Sequence, residues 1–213
     1  MATRDELVTY VFSRLGVSSS RDSFQALIEG HLERHYHRAV RNFMLNMDDA
    51  DLALVQDDPY VDLPDDFMRA RTVRVGTRTL RPITQESLAD RAAAREEASA
   101  STATPGVYVF MAPNRLYIDP VPTETDNSGG KLFYVARPAA WTSGDDTPDC
   151  LPTEYHDLLA EETIYRMAQD QEEFATHAAA AAATAARLRA ELSLEIKLRD
   201  GDGSHRVFRA HYG

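Results

Sequence analysis

Between Pro59 and Leu159 the chain is written in short strand-like phrases closed by proline, and no other feature limits its folding as strongly. The phrases are Leu63-Pro64-Asp65-Asp66-Phe67, Pro105-Gly106-Val107-Tyr108, Leu116-Tyr117-Ile118-Asp119-Pro120-Val121-Pro122, Leu132-Phe133-Tyr134-Val135-Ala136-Arg137-Pro138 and Leu151-Pro152-Thr153-Glu154-Tyr155-His156-Asp157-Leu158-Leu159. Proline fixes φ and has no N–H, so each one stops a strand or precedes a helix. Residues 68–75 and 77–82 flank Gly76 and predict one hairpin; residues 107–111 and 115–119 bracket Ala112-Pro113-Asn114 and predict another. A further strand over 131–136 follows the turn-forming run Asp126-Asn127-Ser128-Gly129-Gly130. Thr84 caps a short helix that runs into an Ala-, Ser- and Thr-rich linker at 98–104.

Both flanks read as helix. Thr3 and Glu6 make a capping-box pair, Leu7, Val8, Val11, Phe12 and Leu15 follow at helical spacing, and Gly16 closes the helix. A longer helix runs from the Ser18-Ser19-Ser20 cap region to about Asn46, with an apolar stripe from Phe24 to Met47. After Pro152, Thr153 opens another, and Phe174 to Leu192 is Ala-rich with Ala181, Ala185, Leu188 and Leu192 on one side. Residues 192–199 fit two readings. Leu192, Leu194, Ile196 and Leu198 alternate with polar residues as in a strand, yet no breaker precedes Gly201, which favours continued helix. The elements predict an α+β chain: a helical bundle of N-terminal helices (1–55) and C-terminal helices (151–199), an inserted small antiparallel β module (56–150), and an extended tail (200–213).

Charge restricts the partners. The formal net charge is −11, which disfavours a nucleic-acid clamp because binding phosphates requires clustered Lys and Arg. Eight aspartates, Asp48, Asp49, Asp51, Asp57, Asp58, Asp62, Asp65 and Asp66, fall in 48–66 without a single Lys or Arg, and read as a solvated acidic loop or a surface that repels DNA. Residues 197–213 reverse the sign, with four Lys or Arg against two Asp. Val207, Phe208 and Tyr212 in that segment are unusual in a tail that binds nothing. Cys150 is the single cysteine, which excludes an internal disulfide and fits a reducing cytoplasm. The N-terminal residues lack the basic-then-apolar pattern of a signal peptide, and no apolar run approaches the roughly 18 residues that would span a membrane.

Several chemical motifs are nearly present. His31 and His35 sit four apart, the spacing that lets two imidazoles share a zinc ion, but Leu32 follows the first His where a zincin has its Glu. They read instead as polar helix-surface residues or interface donors. Gly129-Gly130-Lys131 lacks the earlier Gly and the following Ser or Thr of a phosphate loop. Asp200-Gly201-Asp202-Gly203-Ser204 has His205 where a calcium loop turns on Gly and His211 where it needs Glu. Cys150 and His156 straddle Pro152 with nothing to orient the imidazole. Glu161 and Glu162 are adjacent, so their side chains diverge rather than face one substrate.

The punctuated phrases resemble the head-to-tail adaptor (connector) proteins of tailed bacteriophages. The resemblance spans about residues 58–168 and is carried by Leu132 to Pro138, the acidic turn Gly144-Asp145-Asp146, and Leu151-Pro152 with Tyr155 opening a helix. It implies a structural virion protein, not an enzyme and without a cofactor. Such proteins form a ring, commonly dodecameric, that joins the capsid portal to the tail and lines the DNA channel. The implied partners are the portal protein, the tail or next neck protein, and further copies of the chain; DNA passes without specific binding and no membrane is involved. The implied location is the virion neck, after synthesis in the host bacterial cytoplasm. On this reading Arg199, Arg206, Val207, Phe208, Arg209 and Tyr212 meet the portal, and the eight aspartates form an acidic surface. The alternatives are another neck component, a stopper or tail-completion protein; from a different class, a zinc-dependent hydrolase using His31 and His35; and a small soluble ligand-binding domain whose β module holds a pocket.

Overall fold

The α-helix over Arg4–Leu15 (α1) starts where the spacing of Thr3 and Glu6 dictates: the Thr3 side chain accepts from the Glu6 backbone N–H, and the Glu6 carboxylate accepts from that of Thr3. It ends at Gly16, left-handed at φ 67°, where the absence of Cβ makes that conformation inexpensive. The structure is a computed structural model describing residues 2–17, 22–98, 105–111 and 114–201. Its chain divides into two compact units, residues 1–46 with 137–213, and residues 47–136.

In the first unit α1 is joined by Asp22–Phe43 (α2), His156–Asp170 (α4) and Ala178–Gly201 (α5), while Gln85–Ala98 (α3) belongs to the second. A 3-10 turn over Thr153–Tyr155 leads into α4, and a second over Glu172–His177 leads into α5. Helix α4 packs against α1, α2 and α5, and ten of its residues from His156 to Ala168 are buried. A helix buried on nearly every side is the centre of a bundle rather than a surface element. Ala181, Ala185, Leu188 and Leu192 form the buried stripe of α5, and the alanines let it approach α4 closely. Residues 192–199 are helical, so the alternating pattern there is not a strand: Leu192 is buried while Leu194 and Leu198 point outward. The Ala-rich helix itself begins at Ala178, four residues after Phe174, which instead plugs the preceding turn and meets Phe24 edge-on at 5.7 Å.

The turn at 143–146 has a structural task in this unit. The carbonyls of Asp146 and Gly144 accept from Arg4 and Asp5 N–H, satisfying two of the orphan donors at the start of α1. The Asp146 carboxylate is held below its usual range because it accepts the backbone N–H groups of Ser143 and Thr142.

The second unit is a two-layer sandwich. Strands Met47–Leu54 (β1), Phe67–Val75 (β3), Arg78–Thr79 (β4) and Asp126–Ala136 (β8) form one sheet in the order β1-β8-β3-β4. Tyr60–Asp62 (β2), Arg81–Pro82 (β5), Val107–Met111 (β6) and Arg115–Asp119 (β7) form the other in the order β2-β7-β6-β5. Leu52, Leu54, Val61, Val73, Leu116, Ile118, Leu132 and Tyr134 are among the residues of the core they enclose. All pairings are antiparallel except β5 with β6. Helix α3, Gln85–Ala98, begins at Thr84, whose hydroxyl accepts the Ser87 N–H as expected of a cap.

Three expectations fail here for identifiable reasons. The acidic stretch is not a loop, because Leu52, Leu54, Val61 and Leu63 fall on alternate positions and fill the core while the aspartates between them face out. The 77–82 strand is broken: Leu80 is buried, and the chain crosses there from one sheet to the other. The run 126–130 continues β8 rather than turning, since Gly130 is covered by Leu52 across the β1–β8 pair and admits no side chain. The 99–104 part of the linker lies outside the described residues, as does the tail from 202 onward.

Candidate assembly surfaces

The consecutive Glu161 and Glu162 on α4 are buried, at 1% and 8% exposure. A 100° step per residue sends them to different neighbours. Glu161 accepts from the Tyr10 hydroxyl at 2.9 Å and meets Arg14 at 3.2 Å, both on α1. Glu162 lies 2.8 Å from Nδ1 of His35 on α2, an approach off the line of the ring N–H, and pairs closely with Arg189 on α5. One helical step thus ties the central helix to three others. Burial, then the Glu161 partner, pushes the Tyr10 hydroxyl up to about 12. Burial also opposes ionisation of Glu162, but the close approach of His35 and the hydrogen bond and charge of Arg189 outweigh it and hold the carboxyl below its ordinary value.

His31 and His35 are not helix-surface residues. They are 6% and 9% exposed, with rings 6.3 Å apart and roughly parallel. Nδ1 of His31 is 3.1 Å from the Arg34 guanidinium, and burial followed by that charge lowers the imidazole to about 4. Arg34 and Glu162 therefore engage the two rings, and among the described residues no group of three or more His, Cys, Asp or Glu could hold a metal ion. His156 is equally occupied: Nδ1 accepts from Ala2 N–H at 3.2 Å and Nε2 lies 3.0 Å from the Leu151 carbonyl. Burial raises the Cys150 thiol, and the residue's backbone N–H donates to Tyr36, which stacks on Trp141 at 5.3 Å. These groups hold the bundle together.

In the β unit the eight aspartates separate by position. Asp48, Asp49 and Asp51 are exposed on β1, Asp62 is exposed on β2, and Asp57 and Asp58 lie in the exposed connection between them. Asp65 and Asp66 precede β3, with Asp66 half-buried and accepting from the Tyr134 hydroxyl at 3.0 Å. Lys131 on β8 reaches both Asp49 and Asp51 at 2.9 Å, and these hydrogen bonds raise its ammonium above the ordinary range. Arg115 on β7 pairs with Asp62 at 2.8 Å.

The hairpin about Gly76 is Arg- and Thr-rich and partly exposed, and it is the counterpart of the acidic run. Residues 67–82 hold five arginines, Arg69, Arg71, Arg74, Arg78 and Arg81, and no Asp or Glu, and every one of the five is exposed. Counting charge in consecutive windows finds this run directly after the acidic one. Of the expected portal-facing residues, Arg199 lies in the last turn of α5 and pairs with Glu195 one turn earlier. Arg206, Val207, Phe208, Arg209 and Tyr212 lie outside the described residues. Leading toward them, Leu194 and Leu198 are 59% and 65% exposed on one side of α5, an apolar strip that the strand-like alternation disguised.

Among the described residues no helix is long and apolar enough to cross a membrane. A family model described as SU10 adaptor protein matches residues 2–208. No curated protein matches the chain.

Proposed function

The chain belongs to the SU10 adaptor protein family, a family of structural phage proteins, and from that membership we propose that it forms the ring joining the capsid portal to the tail. The family places the protein in the virion, in association with other head or tail components. Within that setting the proposed ring sits at the neck, is dodecameric, and surrounds the path of the DNA. The observation that carries the reading is the family match over nearly the whole chain.

Physical chemistry supports each part. Repeated copies joined by one heterologous contact close into a ring, and each contact needs only modest strength because later ones are intramolecular. A chain of net charge −11 repels phosphate, which lets DNA slide past without sticking. The basic C-terminal segment suits docking to portal carboxylates, with Phe208 and Tyr212 as anchors and Arg199, Arg206 and Arg209 as charged partners. The exposed Leu194 and Leu198 extend that apolar character back onto α5.

Particles assembled without the chain test the reading. Filled heads lacking tails are expected, with tail attachment restored by supplying the protein; normal tailed particles without it overturn the proposal. Removing residues 200–213 is expected to abolish binding to purified portal, and undiminished binding removes the tail from the account.

A further inference from the structure

The β unit is electrically polarised across its strands. In the first sheet the acidic segment provides one edge, β1, and the arginine segment provides the opposite edge, β3 with β4. The second sheet repeats the arrangement, with β2 at one edge and β5 at the other. The two sheets are stacked with like edges together, because β1 contacts β2 and only Leu80 separates β4 from β5. Six exposed carboxylates, Asp48, Asp49, Asp51, Asp57, Asp58 and Asp62, therefore share one flank, and Arg74, Arg78 and Arg81 share the other.

Charge on an open strand edge ordinarily serves to stop copies from pairing. That protection requires the same sign on both edges, so that any approach of edge to edge meets repulsion. Opposite signs do the reverse. When two copies stack in the same orientation, the acidic flank of one faces the arginine flank of the next. Lys131 and Arg115 offset part of the acidic flank internally, which brings the two flanks nearer to balance. A face-to-face pairing of identical flanks is repelled, so the pattern selects the heterologous contact over the two-fold one.

We infer that the acidic flank of the β unit, β1 and β2, docks on the arginine flank, β3 to β5, of a second copy of this chain, forming the seam that repeats around the assembly. This inference rests on the adaptor reading and deepens it by assigning the surface through which copies meet. It gives the edge aspartates to the seam. Exposed ion pairs are individually weak, so the contact depends on several pairs and on ionic strength.

Two charge-reversed forms of the full chain test it. Arg74→Glu with Arg78→Glu and Arg81→Glu makes both flanks acidic; Asp48→Lys with Asp51→Lys and Asp62→Lys makes both basic. Sedimentation at low ionic strength is expected to show wild-type oligomers whose association weakens about tenfold when salt shortens the Debye length to about 3 Å. Each variant alone is expected to lose association by about a hundredfold, because like charges then face each other, and an equimolar mixture to regain it. All substituted positions are exposed, and recovery on mixing shows that both variants are folded. Variants that associate as the wild type does, a mixture that stays monomeric, or a wild type monomeric at low salt overturns the seam. Each of those outcomes leaves the adaptor reading intact, because that reading is scored by tail attachment in particles.

Discussion

Glu162 concentrates the energetics of the helical unit in one carboxylate. Replacing it with Ala leaves the buried His35 without its partner, while Arg189, 55% exposed, turns to water, and a loss of about 1–3 kcal/mol is expected. A denaturant midpoint lowered without a change in slope is the expected result. Gly130 marks a second sensitive position. A Cβ there would sit 2.7 Å from that of Leu52 and 3.0 Å from its carbonyl, so Gly130→Ala is expected to destabilise the β unit by about 1–3 kcal/mol in the same titration. His31 gives the chain an acid sensitivity. Its folded value of about 4 lies below the ordinary 6.5, so the unfolded chain binds more protons between those limits. Stability is fully present above pH 6.5 and falls by up to about 3 kcal/mol as the pH drops toward 4. Burial lowers His37 and His156 as well, adding to the slope, and the depressed Glu162 extends the loss to lower pH. Thermal unfolding followed against pH is expected to show this decline, flattened in His31→Asn.

Helix α5 carries the clearest element-scale prediction. Its alanine stripe is what allows close contact with α4, so Ala185→Leu forces the helices apart. A loss of about 1–3 kcal/mol is expected, with hydrogen exchange along α5 rising more than along α1. Elements with local signals were legible in the sequence: the capping box of α1, the Thr84 cap of α3, and the β6–β7 hairpin all fall where their residues place them. Elements decided by tertiary context were not. In β1 the aspartates outweighed the alternating leucines, although burial of Leu52 and Leu54 against β8 decides the structure. The burial of His31 and His35 was hidden for the same reason, since the facing carboxylate lies 127 residues from His35 on another helix. The adjacency of Glu161 and Glu162 did announce that the two diverge, but not which helices they would reach.

At the scale of the molecule, the chain leaves the helical unit at Asn46 and returns at Arg137 beside one strand pair, for Met47 is the partner of Val135. A short linker from Asn46 to Arg137 therefore spans the gap left by removing residues 47–136. The shortened protein is expected to keep a cooperative helical unfolding transition by circular dichroism while losing self-association. The charge polarity of the β unit was present in the sequence as two neighbouring windows of opposite sign, but its meaning was not. Only the strand order shows that the windows lie on opposite flanks in both sheets.

The shared doorway between the units also determines how the protein bears load. A pull that parts the two crossings opens the β1–β8 ladder from its end, breaking one rung at a time at low force. A pull that carries both crossings together leaves that ladder unstrained. Force that moves the paired threads as one therefore spares this joint, and force that draws them in different directions wears it.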